Sequence, residues 1–213
     1  MTKKGLFITF EGIEGCGKST QIKLLADFLK KEGSQVLLTR EPGGTSIGDK
    51  IREILLDPEN AGMSARCELL LYSASRHQHV SEKIIPSLKK GMVVLSDRFF
   101  DATQAYQGAA RKLSGDLVEE CRRIATEGID PDLTFILDLP AKEGLNRISS
   151  RYDKDGGGAD RLESEDIGFH ERVREGYLQI AKREPKRVVV IDAKKTVDEI
   201  HEEIVKKLSL IGY

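Results

Sequence analysis

Five runs of the chain are apolar almost without interruption: residues 6–10 (LFITF), 35–39 (QVLLT), 92–96 (MVVLS), 133–139 (LTFILDL) and 188–191 (VVVI). Runs this short and continuous predict strands buried on both faces of a parallel sheet. Between them the spacing changes to a helical period. Ile22, Leu24, Leu25, Phe28 and Leu29 recur at helical intervals, and segments 47–56, 66–88, 117–127, 167–183 and 197–210 read the same way. Asp57-Pro58 and Gly62 break the chain between the two helical segments that follow the second strand, and Gly128 closes the one before the fourth. Strands alternating with helices make right-handed βαβ units. The pattern therefore predicts an α/β fold, a five-stranded parallel sheet flanked by helices on both faces. No internal repeat or linker divides residues 1–213, so one domain is expected.

Sheets of this kind carry their sites outside the carboxyl ends of the strands. Charged residues mark each run's end: Glu11, Arg40 with Glu41, Asp97 with Arg98, Asp138, and Asp192. All five ends are expected to open on one crevice. The first run leads into Gly12-Ile13-Glu14-Gly15-Cys16-Gly17-Lys18-Ser19-Thr20, which fits the phosphate-loop pattern of two glycines five apart followed by Lys and Ser. Glycines let backbone N–H groups turn inward on an anion, and the helix beginning near Gly17 points its positive end at the same place. Lys18 supplies a mobile charge for the outer phosphates, and the Ser19 hydroxyl is a ligand for Mg²⁺. A strand before the motif and an amphipathic helix after it are the context this chemistry needs. By itself the motif means nucleoside triphosphate binding and no more.

Composition narrows the partners. Of 213 residues 39% are hydrophobic and 32% charged, and the net charge of −1 leaves no global field to attract nucleic acid or an acidic membrane. The opening MTKKG runs straight into the first strand, so a cytoplasmic protein is expected. Cys16, Cys67 and Cys121 are widely spaced without a CxxC pair, which argues against a disulfide framework or a zinc site. Cys16 lies at a helix N-terminus beside Lys18, a setting that activates a thiol, though a small residue filling a slot is the simpler reading.

Two further motifs turn nucleotide binding into a reaction. Asp97, at the tip of the third run, supplies the second Mg²⁺ ligand or a helix cap, and the adjacent Arg98 can clamp both an acceptor phosphate and a transferred phosphoryl group. Arg40 in TREPGGT offers a fork-shaped cation for a phosphate dianion, on a turn stiffened by Pro42, Gly43 and Gly44. Residues 147–163, RISSRYDKDGGGADRLE, place arginines around three glycines between two helical patterns. They predict a mobile lid closing over phosphates, against the alternative of a solvated hairpin. No N-K-x-D tetrad reads guanine and no basic face suits a nucleic-acid motor. Phosphoryl transfer from ATP to a small phosphorylated acceptor fits best; a non-catalytic ATP-dependent switch is the rival.

The pieces FEGIEGCGKST, TREPGGT, ELLLYSASRHQH, SDRFFDATQAYQG and the arginine-bearing lid together resemble the bacterial thymidylate kinase (dTMP kinase) family, within the nucleoside monophosphate kinases and over essentially the whole chain. The resemblance implies a phosphate-loop NTPase fold and γ-phosphoryl transfer from ATP to dTMP for dTTP synthesis, with Mg²⁺. It implies Gly12, Gly15, Cys16, Gly17, Lys18, Ser19 and Thr20 around ATP, and Ser19 and Asp97 at the metal. It places Glu14, Arg40, Pro42, Tyr72, Arg76, Arg98, Thr103, Tyr106 and Gln107 around dTMP: Tyr72 stacks on the base, Arg76 reads its O4, and Tyr106 excludes a ribose 2′-OH. Glu14 bonds the 3′-OH or a nearby water, and Glu11 is a weaker candidate near the metal. Gly15 stands where some members carry a catalytic arginine, so the lid arginines are expected to serve, Arg151 and Arg161 ahead of Arg147. Ala102 stands where the family has a polar residue and Tyr72 where it has Phe. The family is usually a homodimer.

Overall fold

The computed structural model describes residues 5–155 and 158–209. One all-parallel sheet runs in the order β2-β3-β1-β4-β5, from β1 (Leu6–Glu11), β2 (Val36–Arg40), β3 (Val93–Asp97), β4 (Leu133–Asp138) and β5 (Val188–Asp192). β1, β3 and β4 are buried along nearly their whole length, as continuous apolar runs require. The two edge strands are not: Leu38 of β2 and Val190 of β5 face solvent. Each of the later strands ends a residue away from the expected place. Arg40, Asp97 and Asp192 are therefore the last residues of their strands rather than the first beyond them. Register sets Arg40 and Phe10 on either side of Asp97, so three chain segments reach the sheet's upper edge level with one another.

The helices are α1 (Lys18–Lys31), α2 (Ser46–Leu56), α3 (Ala65–His79), α4 (Ile85–Lys89), α5 (Phe100–Thr103), α6 (Gly115–Thr126), α7 (Ala141–Asp155), α8 (Ile167–Arg183) and α9 (Val197–Ser209). Side chains satisfy the open N–H groups at several starts: Thr45 accepts from Gly48, Ser64 from Cys67, and Asp166 from Phe169. The segment expected as one helix over 66–88 is interrupted by a wide, π-type turn at Val80–Ile84, and a second such turn, Gln104–Ala110, continues α5. The latter packs on α8, which brings Tyr106 and Tyr177 within 6.3 Å, centroid to centroid. Turns of this kind occur often at functional sites. The expected lid is more ordered than a loop: α7 runs on through Arg147 and Arg151, and 161–164 form turns. Gly156 and Gly157, two of its three glycines, lie outside the described residues, and Gly158 lies within them.

Candidate active site

β1 delivers the chain to a loop that turns through Gly12 (φ 132°), Gly15 (φ 72°) and Gly17 (φ 97°), the last capping the N-terminus of α1. Lys18 lies buried with Nζ donating to the carbonyls of Gly12 (3.1 Å) and Ile13 (2.9 Å), so the cation sits inside the loop's curve. Ser19 Oγ donates to Asp97 Oδ2 at 3.0 Å, and Thr20, exposed like Ser19, follows it in the first turn of α1. Cys16 is packed away from solvent, its Sγ only 2.9 Å from where a Cβ on Gly12 would stand. It fills a slot.

The loop's crown rests on α7. A Cβ on Gly15 would fall 2.4 Å from the Gly144 carbonyl oxygen, and one on Gly144 would fall 2.5 Å from that of Glu14. Neither backbone leaves room for a side chain at position 15, at a φ that L-residues avoid in any case. Arg147, one turn along α7, donates to Gly15 O (3.4 Å) and Ala193 O (3.3 Å). The Gly15→Ala variant is expected to lose roughly 2 kcal/mol or more of stability from strain and overpacking, read by urea titration. An unchanged midpoint would mean that α7 gives way freely.

Arg98 is the centre of the site. It follows β3 with φ 73°, a strained conformation for a non-glycine residue. Two bonds over-determine that turn: Arg98 N donates to Phe10 O (2.9 Å) and Phe99 N to Glu11 Oε1 (2.7 Å). The guanidinium donates to Glu14 Oε1 (2.8 Å), Tyr106 Oη (3.0 Å) and Tyr177 Oη (2.9 Å), and lies 5.0 Å from the centre of the Tyr106 ring. Burial alone would raise the Glu14 carboxyl, but Arg98, aided by His170, Lys18 and Tyr106, holds it far below the usual carboxylate range. It is a fixed anion beside a fixed cation. Glu14 Oε2 and His170 Nε2 are buried without hydrogen-bond partners among the described residues, with His170 Nδ1 3.6 Å from that oxygen.

Glu11, the weaker candidate near the metal, is taken up by hydrogen bonds within the protein. It lies beneath Arg98, accepting from Phe99 N and, at 2.7 Å, from Tyr177 Oη. Burial and then the nearby Asp101 push its carboxyl up from 4.5 to about 8. The folded protein thus keeps a proton that the unfolded chain has already released. The stability this group contributes is complete below pH 4.5 and is lost as pH rises to about 8. Denaturant titrations should show the wild type losing at least about 1 kcal/mol relative to Glu11→Gln over that window; parallel pH curves for the two would refute it.

The other half of the cleft carries the expected acceptor residues. A cavity of about 370 Å³ is lined by Gly15, Lys18, Ser19 and Asp97, by Arg40, Glu41, Pro42, Tyr72, Ala102, Thr103, Tyr106 and Gln107, and by Arg98 and Glu14. Its size suits a small ligand. Arg40 is held only loosely, 3.6 Å from Asp49, with 59% of its side chain exposed. Burial, and next the Glu68 charge, raise the Tyr72 hydroxyl well above its ordinary range, so it stays neutral. Gln107 Nε2 donates to Glu68 Oε1 at 2.8 Å. Arg76 is 2% exposed and stands behind this wall, donating through NH1 to Thr103 Oγ1 at 2.9 Å. The ends of β4 and β5 do not join the cleft, contrary to the expectation for all five strands. Asp138 is held two-pronged by Arg174 (2.6 and 2.8 Å), and Asp192 accepts from Lys194 N (2.9 Å).

The lid arginines divide. Arg151 lines the cleft with 58% of its side chain exposed, 3.8 Å from Glu163. Arg161, expected beside it, lies elsewhere: buried, it donates through Nε to Leu55 O (2.8 Å) and pairs with Glu68 (2.7 Å). Two fully desolvated hydrogen-bonded contacts hold it as a staple between the lid, α2 and α3. Tyr177 and His170 of α8, and Glu68 and Arg111 behind Gln107, are parts of the site that motif reading missed. Tyr177 stands in line with Phe169, Val173 and Ile180 on α8, an apolar stripe that gives no sign of a polar role. Glu68, one turn before Tyr72, carried the available signal, an acid on an apolar helix face.

A phosphate loop after the central strand of a parallel sheet, with an Asp-Arg pair on its neighbour opening into one cleft, defines a phosphate-loop nucleotide kinase. A model of the thymidylate kinase family matches residues 10–204. A protein named thymidylate kinase from Trichlorobacter lovleyi is 52% identical over 189 residues, covering 88% of this chain and 89% of that one. One from Halothermothrix orenii is 52% identical over 205 residues, covering 96% and 97%. The crystal structure of thymidylate kinase from Ehrlichia chaffeensis matches with a TM-score of 0.77 at 35% identity, covering 96% of this chain and 98% of that one. The chain belongs to the thymidylate kinase family, whose members are nucleoside monophosphate kinases.

Proposed function

We propose that this chain transfers the γ-phosphoryl group of ATP to dTMP, giving dTDP and ADP for dTTP synthesis. The observation that carries the reading is one cleft lined by the phosphate-loop residues Lys18 and Ser19 together with Arg98, Arg40, Thr103 and Tyr106. The phosphate loop, residues 12–20, holds the triphosphate through backbone N–H groups and Lys18, whose Nζ leaves two weak carbonyl partners for a charged one. Arg98 and Arg40 hold the acceptor phosphate, Tyr72 stacks on the base, and Thr103 and Gln107 meet its polar edge. Glu14 accepts from the 3′-OH, and Tyr106 occupies the space of a ribose 2′-OH.

The acceptor phosphate is already anionic near neutral pH, so no general base is needed. A new P–O bond forms to the dTMP phosphate as the bond between the γ-phosphorus and the bridging oxygen breaks, and the electron pair leaves on ADP. Negative charge spreads over the transferred oxygens, and Lys18, Arg98 and Arg151 neutralise it. Arg151 is the lid arginine assigned here; Arg161 fixes the lid's base.

The donor set fits Mg²⁺: Ser19 Oγ and Asp97 Oδ2 are hard oxygen ligands 3.0 Å apart beside the phosphate loop. Among the described residues no cluster of three or more His, Cys, Asp or Glu could hold a metal, which suits an ion that takes its remaining ligands from phosphates and water. Ser19 and Asp97 would hold the ion, which would supply positive charge to offset that of the phosphates. We further propose a single cytoplasmic kinase domain with the lid over 147–163. A homodimer is proposed through α2, α3 and α6, where Ile47, Ile54, Leu70 and Ile124 are exposed. Among the described residues no helix is long and apolar enough to cross a membrane.

The test is ADP release with ATP and Mg²⁺ against dTMP, dUMP, dCMP, UMP and AMP. Fast turnover on dTMP, weak on dUMP and negligible on dCMP, UMP and AMP is expected. Preference for another acceptor would remove the base assignments and leave the phosphate half standing; no acceptor-dependent turnover would favour the switch reading.

A further inference from the structure

Along the acceptor wall runs a buried chain of polar side chains of which substrate binding, as assigned above, uses only Thr103. Thr39 Oγ1 lies 2.6 Å from His79 Nε2, and His79 Nδ1 lies 3.0 Å from Glu41 Oε1. Glu41 Oε2 accepts from Arg76 Nε at 2.7 Å, and Arg76 reaches Thr103 Oγ1 (2.9 Å) and Phe99 O (3.1 Å). His79, Glu41, Arg76 and Thr103 are all buried, and two of them, Glu41 and Thr103, line the cleft. We infer that His79, acting through Glu41, is a specificity-positioning residue: it fixes the Arg76–Thr103 pair that meets the base of the acceptor nucleotide. The inference rests on the dTMP reading above.

The direction of each bond follows from donor chemistry. Glu41 accepts only, so a neutral His79 ring carries its proton on Nδ1, and Nε2 accepts from the Thr39 hydroxyl. Arg76 donates only, so Thr103 Oγ1 must accept from it. The hydroxyl proton of Thr103 has no acceptor among the described residues and is left for a ligand. A donor held there favours a keto oxygen and disfavours an exocyclic amino group, which distinguishes thymine from cytosine. Glu41 divides its two oxygens between Arg76 and His79, and each partner restrains the other's rotation. Without the ring, the carboxylate pivots and the guanidinium follows it.

Sequence and packing agree with this. Tyr72, Arg76 and His79 stand at i, i+4 and i+7 on α3, on one face. At Gly44 (φ 81°) a Cβ would fall 2.8 Å from Thr39 Oγ1 and 2.9 Å from His79 Nε2, so the TREPGGT turn closes on the ring only because that residue is glycine. Thr39, Glu41 and Gly44 of that motif thus serve the base end of the cleft, while Arg40 serves its phosphate end.

The test compares His79→Leu with His79→Asn in the full chain with ATP and Mg²⁺. Leucine fills the space without a donor, and asparagine restores an N–H to Glu41. His79→Leu is expected to raise KM for dTMP about tenfold at nearly unchanged kcat. It should also cut the ratio of kcat/KM for dTMP over dCMP about tenfold, the scale of one lost charge-assisted hydrogen bond. His79→Asn should recover most of both. Equal kinetics for the two variants, or a lowered Tm with wild-type KM and selectivity, would overturn the inference. If His79→Leu does not fold, Thr39→Val carries the same readouts, with a smaller rise in KM expected and wild-type values contradicting. A wild type inactive on dTMP would instead overturn the dTMP reading itself.

Discussion

Arg98→Ala is expected to lower kcat by about two orders of magnitude or more at saturating ATP and dTMP, the scale seen when one charge-stabilising donor is removed. The physical reason is how completely the guanidinium is fixed. Three donors end on Glu14, Tyr106 and Tyr177, and the backbone is locked at φ 73° by Phe10 O and Glu11. Such a group needs little reorganisation when charge develops beside it. Burial would weaken its positive charge, but Tyr106, Tyr177, Glu14 and Glu11 hold the guanidinium well above its ordinary range, so it is a permanent cation. Arg98→Lys keeps a charge without the fork and should recover only a small part of the loss. If kcat survives in Arg98→Ala and only KM for dTMP rises, Arg98 binds the acceptor and does nothing for the transition state. Steady-state kinetics at varied dTMP separates the two outcomes.

Lys18→Met is expected to cut kcat/KM for ATP by about 10³, again on the scale of a lost charge-stabilising group. Methionine nearly matches the length of lysine and leaves the loop's volume filled. The structural cost then falls on the carbonyls of Gly12 and Ile13 and on Cys16 Sγ, which lose Nζ as a donor. A buried acceptor left unpaired costs about 1–3 kcal/mol, so a folded variant with a modestly lowered Tm is expected. A variant with near wild-type kcat/KM would show that backbone N–H groups alone hold the phosphates.

The sheet and the phosphate half of the site were legible because each is written locally. Five continuous apolar runs became five parallel strands, and the spacing of Gly12, Gly17, Lys18 and Ser19 specified the loop, its cation and the hydroxyl that meets Asp97. The edge positions of β2 and β5 were not legible, since Leu38 and Val190 are as apolar as the buried residues and only topology exposes them. Nor was the π-type turn at Gln104–Ala110, where packing on α8 sets the backbone and residue preferences say little.

Arginines at the lid illustrate the same limit. Arg151 and Arg161 are alike by composition and stand ten positions apart, yet one lines the cleft and the other is buried against Glu68, a residue far away in the chain. Long-range partners decide that. The tyrosine that anchors Arg98 and the histidine beside Glu14 come from α8, whose apolar stripe gives no sign that Tyr177 has a polar duty. Even Arg76, which the family resemblance sets against the base, lies behind the pocket wall and reaches the cleft through Thr103.

The central claim is the transfer itself, and tracing the phosphorus tests it most directly. With ATP labelled at the γ-phosphate, Mg²⁺ and dTMP, the label is expected in the β-phosphate of dTDP, with one ADP formed for each dTDP. Label appearing as free phosphate whether or not dTMP is present, with no dTDP formed, would contradict the account.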